Sequence, residues 1–456
     1  MRVIIFLALL IVIITACDPA EEKFTFDPSA KLRFSTDTLF FDTLFTSIGS
    51  ITKRIKVFND NDNAVNISSI NLGAGSSSQY DLIVNGFEAK EFTDQRLLGN
   101  DSMLVLVKVT IDPQNSDLPF VVKDSIVFNT NNNLQDIKLF SWGQDAHFLN
   151  DSILACNTVW TADRPYLIFN SILIDSLCTL TIGKGTKIFS HNNSTIFVKG
   201  SLIVNGEVDN RVIFRNDRLD EAFENAAGQW NGIFFLEGSK DNRLNYAVIR
   251  NGVFGVRLGT PDDDDIYDLV IGNSIIENMS NTGIIGFTSD LYVYNTLVNN
   301  CVQFAVGNFA GGNYRYEHCT FANFQFDFIR EGETVAFSDN LILADNSVLK
   351  ADLNVVLINS IIWGNLENEL VLNNTGGTNF SFQSDHNIIR TTLQELDINN
   401  NLLNADPLFI DPENYNYRLD TLSPAKDKGF SLMILNDLDG IVRDSLPDIG
   451  AYERIE

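Results

Sequence analysis

The chain has 456 residues, of which 59 are acidic and 32 are basic, and its formal net charge is −27. A chain of this length can bury a large core and is expected to form more than one domain. The acidic balance argues against nucleic acid and anionic lipid as partners, because binding to phosphate groups depends on basic side chains.

The chain begins with features of an export signal and a lipid anchor. Residues 3–14 form an apolar run after Arg2 that is too short to span a bilayer, which predicts a cleaved signal peptide over residues 1–16. Cys17 follows directly, in a pattern that resembles the bacterial lipobox, where the cysteine carries the lipid. The pair Glu21 and Glu22 lies in an acidic tether, residues 17–27, and resembles the export tag of Bacteroidetes surface lipoproteins.

Residues 28–147 are predicted to form a β-sandwich. Strand-like runs recur there, and no convincing helical pattern interrupts them. In residues 54–58, apolar Ile55 and Val57 alternate with Arg54 and Lys56, which places one face of the strand inward and the other in water. Such alternation indicates two packed antiparallel sheets.

Residues 148–403 repeat one short apolar pattern that ends in asparagine. Asn251, Asn278, Asn300 and Asn323 are separated by 27, 22 and 23 residues, and Asn365 follows after 42 more. A period near 22 residues without helices predicts a β-solenoid in which each period is one coil. The asparagines suit tight bends, because Asn tolerates left-handed backbone and its amide can donate to the next coil.

The last segment, residues 404–456, carries a series of Asp-Pro and Asp-Gly turn elements, such as residues 405–412 and 437–440. A solenoid exposes unpaired strand edges at its ends, so we expect this segment to close the C-terminal end. Among the cysteines, Cys319 is interpreted as a buried free thiol. The sequence leaves open whether Cys156 and Cys178 are bridged.

Several segments together resemble one family. The C-terminal series, with residues 405–412, 437–440 and 448–453, and the segment 228–233 (GQWNGI) are similar to bacterial proteins of the pectin lyase-like superfamily. Residues 41–46 and 141–146 are similar to the borders of an immunoglobulin-like module in such Bacteroidetes lipoproteins. The resemblance implies an all-β chain: a right-handed parallel β-helix preceded by an antiparallel immunoglobulin-like β-sandwich.

No complete catalytic set is present, and the catalytic residues stay unknown. The β-helix polygalacturonases carry four short elements on successive coils, and here only an Asp-Asp pair occurs. A polysaccharide lyase needs acids beside Arg or Lys, for calcium binding and proton removal. The best match is a run of four aspartates near Arg250 and Arg257, which makes these residues the candidate calcium site: Asp262, Asp263, Asp264 and Asp265.

A candidate ligand-binding site is the triplet Tyr314, Arg315 and Tyr316. Alternation in a strand places both tyrosines on one face, where aromatic rings can stack on sugar rings. Arg315 can then bind sugar hydroxyls.

The sequence therefore favours a lipid-anchored outer-membrane protein, exposed at the cell surface, that binds glycans or mediates surface contacts. The expected partner is a polysaccharide or cell-surface glycan, and the membrane is contacted only through the lipid on Cys17. No cofactor is indicated other than Ca²⁺. The alternatives are a Ca²⁺-dependent lyase acting on uronic-acid polymers and a structural or adhesive spacer. An aromatic row on one face would favour binding, and an acidic-basic cluster in an open groove would favour the enzyme.

The lipobox pattern predicts that Cys17→Ser abolishes lipid attachment in a bacterial host, because the acylated thiol is lost. Incorporation of labelled palmitate into the protein is expected to fall to background. Cys319→Ser is the matched control and is expected to keep the label. Wild-type labelling of the Cys17 variant would contradict the assignment.

Overall fold

A computed structural model describes residues 22–259, 266–324, 329–330 and 332–454. These residues form strands and turns, and they contain no α-helix. The helices that do occur are 3-10 helices, and none of them is long and apolar enough to cross a membrane. The short 3-10 helices are Gly75–Ser77, Glu221–Phe223, Gln394–Leu396 and Pro412–Asn414. The chain divides into two compact units, with the boundary between Asp145 and Ala146.

The first unit contains two five-stranded sheets, ordered β1-β3-β8-β5-β6 and β2-β10-β9-β4-β7. All strand pairs are antiparallel except β2 with β10, which are parallel. The strands are β1 (Arg33–Phe34), β2 (Thr38–Phe45), β3 (Lys53–Asn59), β4 (Val65–Leu72), β5 (Tyr80–Val84), β6 (Phe87–Ala89), β7 (Glu91–Leu97), β8 (Asp101–Val109), β9 (Phe120–Thr130) and β10 (Asn133–Gln144).

One apolar core joins the two sheets of the first unit. Ile55 and Val57 of one sheet and Ile67 and Phe128 of the other are fully buried in the same cluster. The alternation seen in the sequence therefore describes β3 correctly, with its apolar side chains inside.

The second unit is a parallel β-helix, built on a 25-stranded sheet in which every pairing is parallel. Two short antiparallel pairs, β30 with β31 and β38 with β39, accompany it. The strands are β11 (His147–Ile153), β12 (Thr158–Trp160), β13 (Tyr166–Ile174), β14 (Thr179–Gly183), β15 (Lys187–Ser190), β16 (Thr195–Val198), β17 (Ser201–Asn205), β18 (Val212–Asn216), β19 (Gly232–Phe235), β20 (Asn242–Asn245), β21 (Ala247–Arg250), β22 (Val256–Gly259), β23 (Leu269–Gly272), β24 (Ile275–Met279), β25 (Thr282–Tyr294), β26 (Leu297–Cys301), β27 (Phe304–Glu317), β28 (Thr320–Asn323), β29 (Val335–Ser338), β30 (Asn340–Ile342), β31 (Val348–Lys350), β32 (Leu353–Ile358), β33 (Ile361–Gly364), β34 (Leu370–Asn373), β35 (Phe380–Asp385), β36 (Ile388–Ile389), β37 (Leu402–Leu403), β38 (Phe409–Asp411) and β39 (Asn416–Leu419).

The coils present three faces. Face 1 stacks β15, β18, β21, β24, β26, β28, β33, β36 and β37. Face 2 stacks β16, β19, β22, the first halves of β25 and β27, β29 and β34. Face 3 stacks β14, β17, β20, β23, the second halves of β25 and β27, β32 and β35.

The register of face 1 reproduces the sequence period. Ile249 pairs with Ile276, Ile276 with Val298 and Val298 with Phe321, which are steps of 27, 22 and 23 residues. All four side chains are fully buried in the tube. The predicted all-β fold class, a β-helix after an antiparallel sandwich, is confirmed.

Three of the repeating asparagines have the left-handed backbone expected at tight bends, whereas Asn323 and Asn365 do not. Asn251, Asn278 and Asn300 have φ of +67°, +59° and +50°, in the left-handed region. A second row, which the sequence pattern did not reveal, links Asn295 to Asn273 and Asn273 to Asn245 by side-chain hydrogen bonds of 3.1 and 2.8 Å.

The C-terminal segment lies along the side of the coils, which corrects the expectation that it covers their end. Its Leu438, Ala451 and Tyr452 pack on the outer side of face 1 against Leu297. The Ala451 N–H donates to Thr320 Oγ1 at 3.0 Å. One outward row of face 1, with Ile275, Leu297 and Ile361, is mostly apolar, so this side needs cover from water.

The cysteines follow two patterns. Cys156 and Cys178 form a disulfide, which answers the question that the sequence left open. Cys301 and Cys319 are buried free thiols, as predicted for Cys319, and burial raises the pKa of each to about 12.

A fully buried ion pair joins two of the last coils, because Arg330 precedes β29 and Glu369 precedes β34. Glu369 accepts hydrogen bonds from Arg330 Nη1 and Nη2 at 2.9 and 2.6 Å and from the Thr334 backbone and hydroxyl. Neither charged side chain is exposed to water. Each charge therefore depends on the other for compensation.

We expect Glu369→Gln to lower the free energy of unfolding by about 3 kcal/mol, because it leaves a buried guanidinium without its counter-charge. Chemical denaturation measures this loss. The control is Glu207→Gln, which removes an exposed partner of Lys184 and is expected to change little. Equal losses in the two variants would contradict the role of the buried pair.

Candidate functional site

The predicted binding triplet lies on β27, with its side chains split between inside and outside. Tyr314 and Tyr316 share a face, as expected, but they are 2% and 0% exposed and belong to the core of the β-helix. Their hydroxyls bond Gly311 O and Asn308 Oδ1. The tyrosines therefore cannot stack on a ligand, which corrects that part of the prediction, and Arg315 alone of the three points outward.

The other predicted sites lie outside the described residues. These are the lipidation residue Cys17 and the calcium candidates Asp262, Asp263, Asp264 and Asp265. Within the described ranges, no group of three or more His, Cys, Asp or Glu side chains is placed to hold a metal ion.

Arg315 belongs to a row of side chains on the outside of face 3. Val270 pairs with Tyr292, and Tyr292 pairs with Arg315, on β23, β25 and β27. In the neighbouring row, Tyr294 pairs with Glu317. Because parallel strands lie about 4.8 Å apart, these groups form one continuous patch across successive coils.

Three partly exposed tyrosines dominate this surface, which we name the tyrosine patch: Tyr267, Tyr292 and Tyr294. The ring of Tyr292 lies 5.5 Å from that of Tyr267 and 5.3 Å from that of Tyr294, centroid to centroid. Tyr294 lies over Gly272, where a Cβ atom would collide with its ring. A glycine at this position of β23 therefore makes room for the aromatic side chain.

Polar groups fix one edge of the tyrosine patch. Glu317, which is 4% exposed, accepts a hydrogen bond from the Tyr292 hydroxyl at 2.6 Å and forms an ion pair with Arg315. This ion pair holds Arg315 beside the rings, and the charge of Glu317 balances that of Arg315. Its other N–H groups can donate to a ligand.

The tyrosine hydroxyls are neutral at physiological pH. Burial raises the pKa of Tyr267, Tyr292 and Tyr294 above the usual value for tyrosine, and the hydrogen bond to Glu317 raises that of Tyr292 further. They therefore act as hydrogen-bond donors and acceptors and carry no charge.

A cleft of about 320 Å³ adjoins the tyrosine patch on the side of the earlier coils. Tyr267 forms one wall, and Asp241 and Arg243, both exposed, contribute charged groups. The remaining lining residues are Ile203, Asn205, Asn242, Ile266 and Val270. Aromatic rings, a cleft and side chains of opposite charge therefore lie together on face 3.

Face 2 carries a second aromatic row, but of different chemistry. Arg257 lies between Phe234 and Phe287, 5.2 and 5.7 Å from their ring centroids, at a cleft of about 370 Å³. Leu341 and Leu349 of the β30–β31 hairpin line the same cleft. This surface is largely apolar and offers few groups for hydroxyls.

The sites predicted from the sequence did not include the three tyrosines of this patch. A usable signal was present, because Leu291 and Val293 alternate with Tyr292 and Tyr294 in β25. Apolar residues at alternate positions indicate the buried face, which leaves the tyrosines outside.

No family model and no curated protein matches the chain. Among solved structures, the catalytic unit of a GH87 alpha-1,3-glucanase from Streptomyces thermodiastaticus is 10% identical over 74% of this chain and 72% of that chain, with a TM-score of 0.27. A GH87 alpha-1,3-glucanase catalytic domain in complex with tetrasaccharides is 8% identical over 75% and 80%, with a TM-score of 0.20. A protein of unknown function from Porphyromonas gingivalis is 10% identical over 27% of this chain and 59% of that chain, with a TM-score of 0.20. These similarities are too low to assign an activity.

The placement of the triplet predicts different effects for its members. Tyr314→Ala is expected to lower the free energy of unfolding by about 3–5 kcal/mol, because it empties space in the core. Arg315→Gln is expected to cost about 1 kcal/mol, because its side chain reaches water. Chemical denaturation of both variants measures the difference. A larger loss for Arg315→Gln would mean that the strand is turned the other way.

Proposed function

We propose that the protein binds a glycan through the tyrosine patch of face 3. The observation that carries this proposal is the contiguous row of Tyr267, Tyr292 and Tyr294, bordered by Arg315 and Glu317. Partly exposed rings provide apolar contact area for sugar rings, and the neighbouring polar groups suit hydroxyls.

The preferred ligand is an uncharged polysaccharide. The positive charge of Arg315 is balanced by Glu317. In the adjoining cleft, Asp241 and Arg243 carry opposite charges. The chain as a whole carries a charge of −27. A polyanion would be repelled at long range and would find no excess positive charge on this face.

The proposal places this binding face at the cell surface, on an outer-membrane protein held by a lipid on Cys17. The short apolar run, the cysteine and the acidic tether in the sequence support that location. A protein at this location is well placed to capture glycans or to contact surface polysaccharide. A calcium-dependent lyase and a spacer are the alternatives that the experiment below separates.

Affinity electrophoresis through gels containing neutral or acidic polysaccharides tests the proposal. The wild-type protein is expected to be retarded by at least one neutral polymer. Tyr267→Ala and Tyr292→Ala are each expected to weaken binding about tenfold, which corresponds to the loss of one central aromatic contact. Phe148→Ala removes an exposed ring elsewhere in the second unit and is the matched control.

Gly272→Ala gives a sharper version of the same test. The added methyl group displaces the ring of Tyr294 without removing any contact residue, so binding is expected to weaken. Retardation that is unchanged in all three patch variants would overturn the proposal. Release of unsaturated products from a uronic-acid polymer in the presence of Ca²⁺, measured by ultraviolet absorbance, would identify a lyase. If the protein is not retarded by any polymer and releases no such products, the spacer is favoured.

A further inference from the structure

A polar cleft of about 500 Å³ lies on the outside of face 1, in the last coils of the β-helix. Trp363 of β33 comes directly after Ile362, and Arg390 comes directly after Ile389, which pairs with Ile362 in the next coil. Both isoleucines belong to the core, so the residues that follow them point outward. Asn404 comes directly after β37, the next strand of the face. The other lining residues are Glu367, Thr391, Thr392, Gln394 and Asp406.

The guanidinium of Arg390 is fixed on one side and free on the other. Its Nη1 donates to Gly364 O at 2.7 Å, and its central carbon lies 5.1 Å from the centroid of the Trp363 ring. Its Nε and Nη2 have no partner, and neither atom is closed to water. Both can therefore donate to a ligand in the cleft.

Other groups in the cleft are also free to bind. The indole N–H of Trp363 has no partner and stays open to water, although the residue is only 6% exposed. Glu367, Thr392 and Gln394 are exposed, and their side chains have no partner. One carboxylate oxygen of Asp406 accepts a backbone N–H at 2.9 Å, and the other has no partner. The cleft thus offers both donors and acceptors to a ligand.

Hydrogen bonds between the coils hold the lining residues in place. Asn404 Oδ1 accepts from the Thr391 N–H, and Asn404 Nδ2 donates to the Thr391 carbonyl, both at 3.0 Å. Asn368 Oδ1 accepts from the Thr391 hydroxyl at 2.7 Å and from the Thr392 N–H at 3.2 Å. The segment that carries Thr392 and Gln394 is therefore fixed before a ligand arrives, which lowers the entropic cost of binding.

The groups in the cleft match the hydroxyls of a sugar, because each hydroxyl can donate and accept. Donors are available on Arg390 and Trp363, and acceptors are available on Glu367 and Asp406. One positive and two negative side chains leave no excess positive charge, which disfavours a carboxylate or phosphate ligand. The volume lies within the range of pockets for small molecules.

We propose that this cleft binds a neutral saccharide through its hydroxyls, with Arg390 donating hydrogen bonds and Glu367 and Asp406 accepting them. The site goes beyond the glycan binding proposed at the tyrosine patch, because it lies on face 1 and holds its ligand by hydrogen bonds instead of exposed rings. It does not depend on that proposal.

Isothermal titration with three neutral tetrasaccharides, cellotetraose, laminaritetraose and mannotetraose, tests this site. The titrations use the full chain with Tyr267→Ala, which weakens the tyrosine patch, so that the remaining binding reports on the cleft. At least one neutral tetrasaccharide is expected to bind, and tetragalacturonate is expected to bind more weakly.

Two further substitutions in this protein identify the cleft. Glu367→Ala is expected to weaken binding about tenfold, and Gln394→Ala about threefold, because each removes hydrogen bonds to the ligand. Both side chains are exposed and have no partner in the protein, so the thermal midpoint is expected to stay the same. Glu395→Ala removes a neighbouring exposed carboxylate that does not line the cleft and is the matched control.

The outcomes separate this site from the tyrosine patch. Binding to the wild-type protein alone, with none of the neutral tetrasaccharides bound by folded Tyr267→Ala protein, would overturn the cleft and support the patch. Affinities that are the same with and without the Glu367 and Gln394 side chains would also overturn the cleft. So would tighter binding of tetragalacturonate than of every neutral tetrasaccharide.

Discussion

Parallel hydrogen bonding between successive coils is the constraint on which the second unit depends. It pairs Val270 with Tyr292 and Tyr292 with Arg315, and it pairs Arg250 with Glu277 in the same way on another face. Side chains at equivalent positions are therefore about 4.8 Å apart and form rows on the outside. A site on this molecule is consequently a row across coils, assembled from residues that are more than 20 positions apart in the chain.

The bends keep these rows in register. Asn273 and Asn295 both adopt left-handed backbone, with φ of +52° and +43°, and their amides link three coils. Asn can adopt this conformation and still donate a hydrogen bond, which a glycine cannot do from its side chain. The same asparagines thus shape the turn and hold neighbouring coils together.

The fold was predictable because its pattern repeats, whereas the sites depend on which way each strand faces. The spacing of Asn251, Asn278 and Asn300 revealed the period, since every coil needs the same bend. Alternation in β27 showed that Tyr314 and Tyr316 share a face, but not that this face is inside. Their hydroxyls find internal partners, so burial of the rings carries no polar penalty. The lateral position of the C-terminal segment likewise depends on apolar rows that exist only after the coils have stacked.

The tyrosine patch places partly exposed rings beside a compensated pair of charges on face 3. A crystal structure of the protein with the neutral polysaccharide fragment that binds it best would test the central claim most directly. The sugar rings are expected to lie on Tyr267 and Tyr292, along the direction in which the coils stack. Sugar bound to the first unit or to face 2, with the tyrosine patch unoccupied, would contradict it.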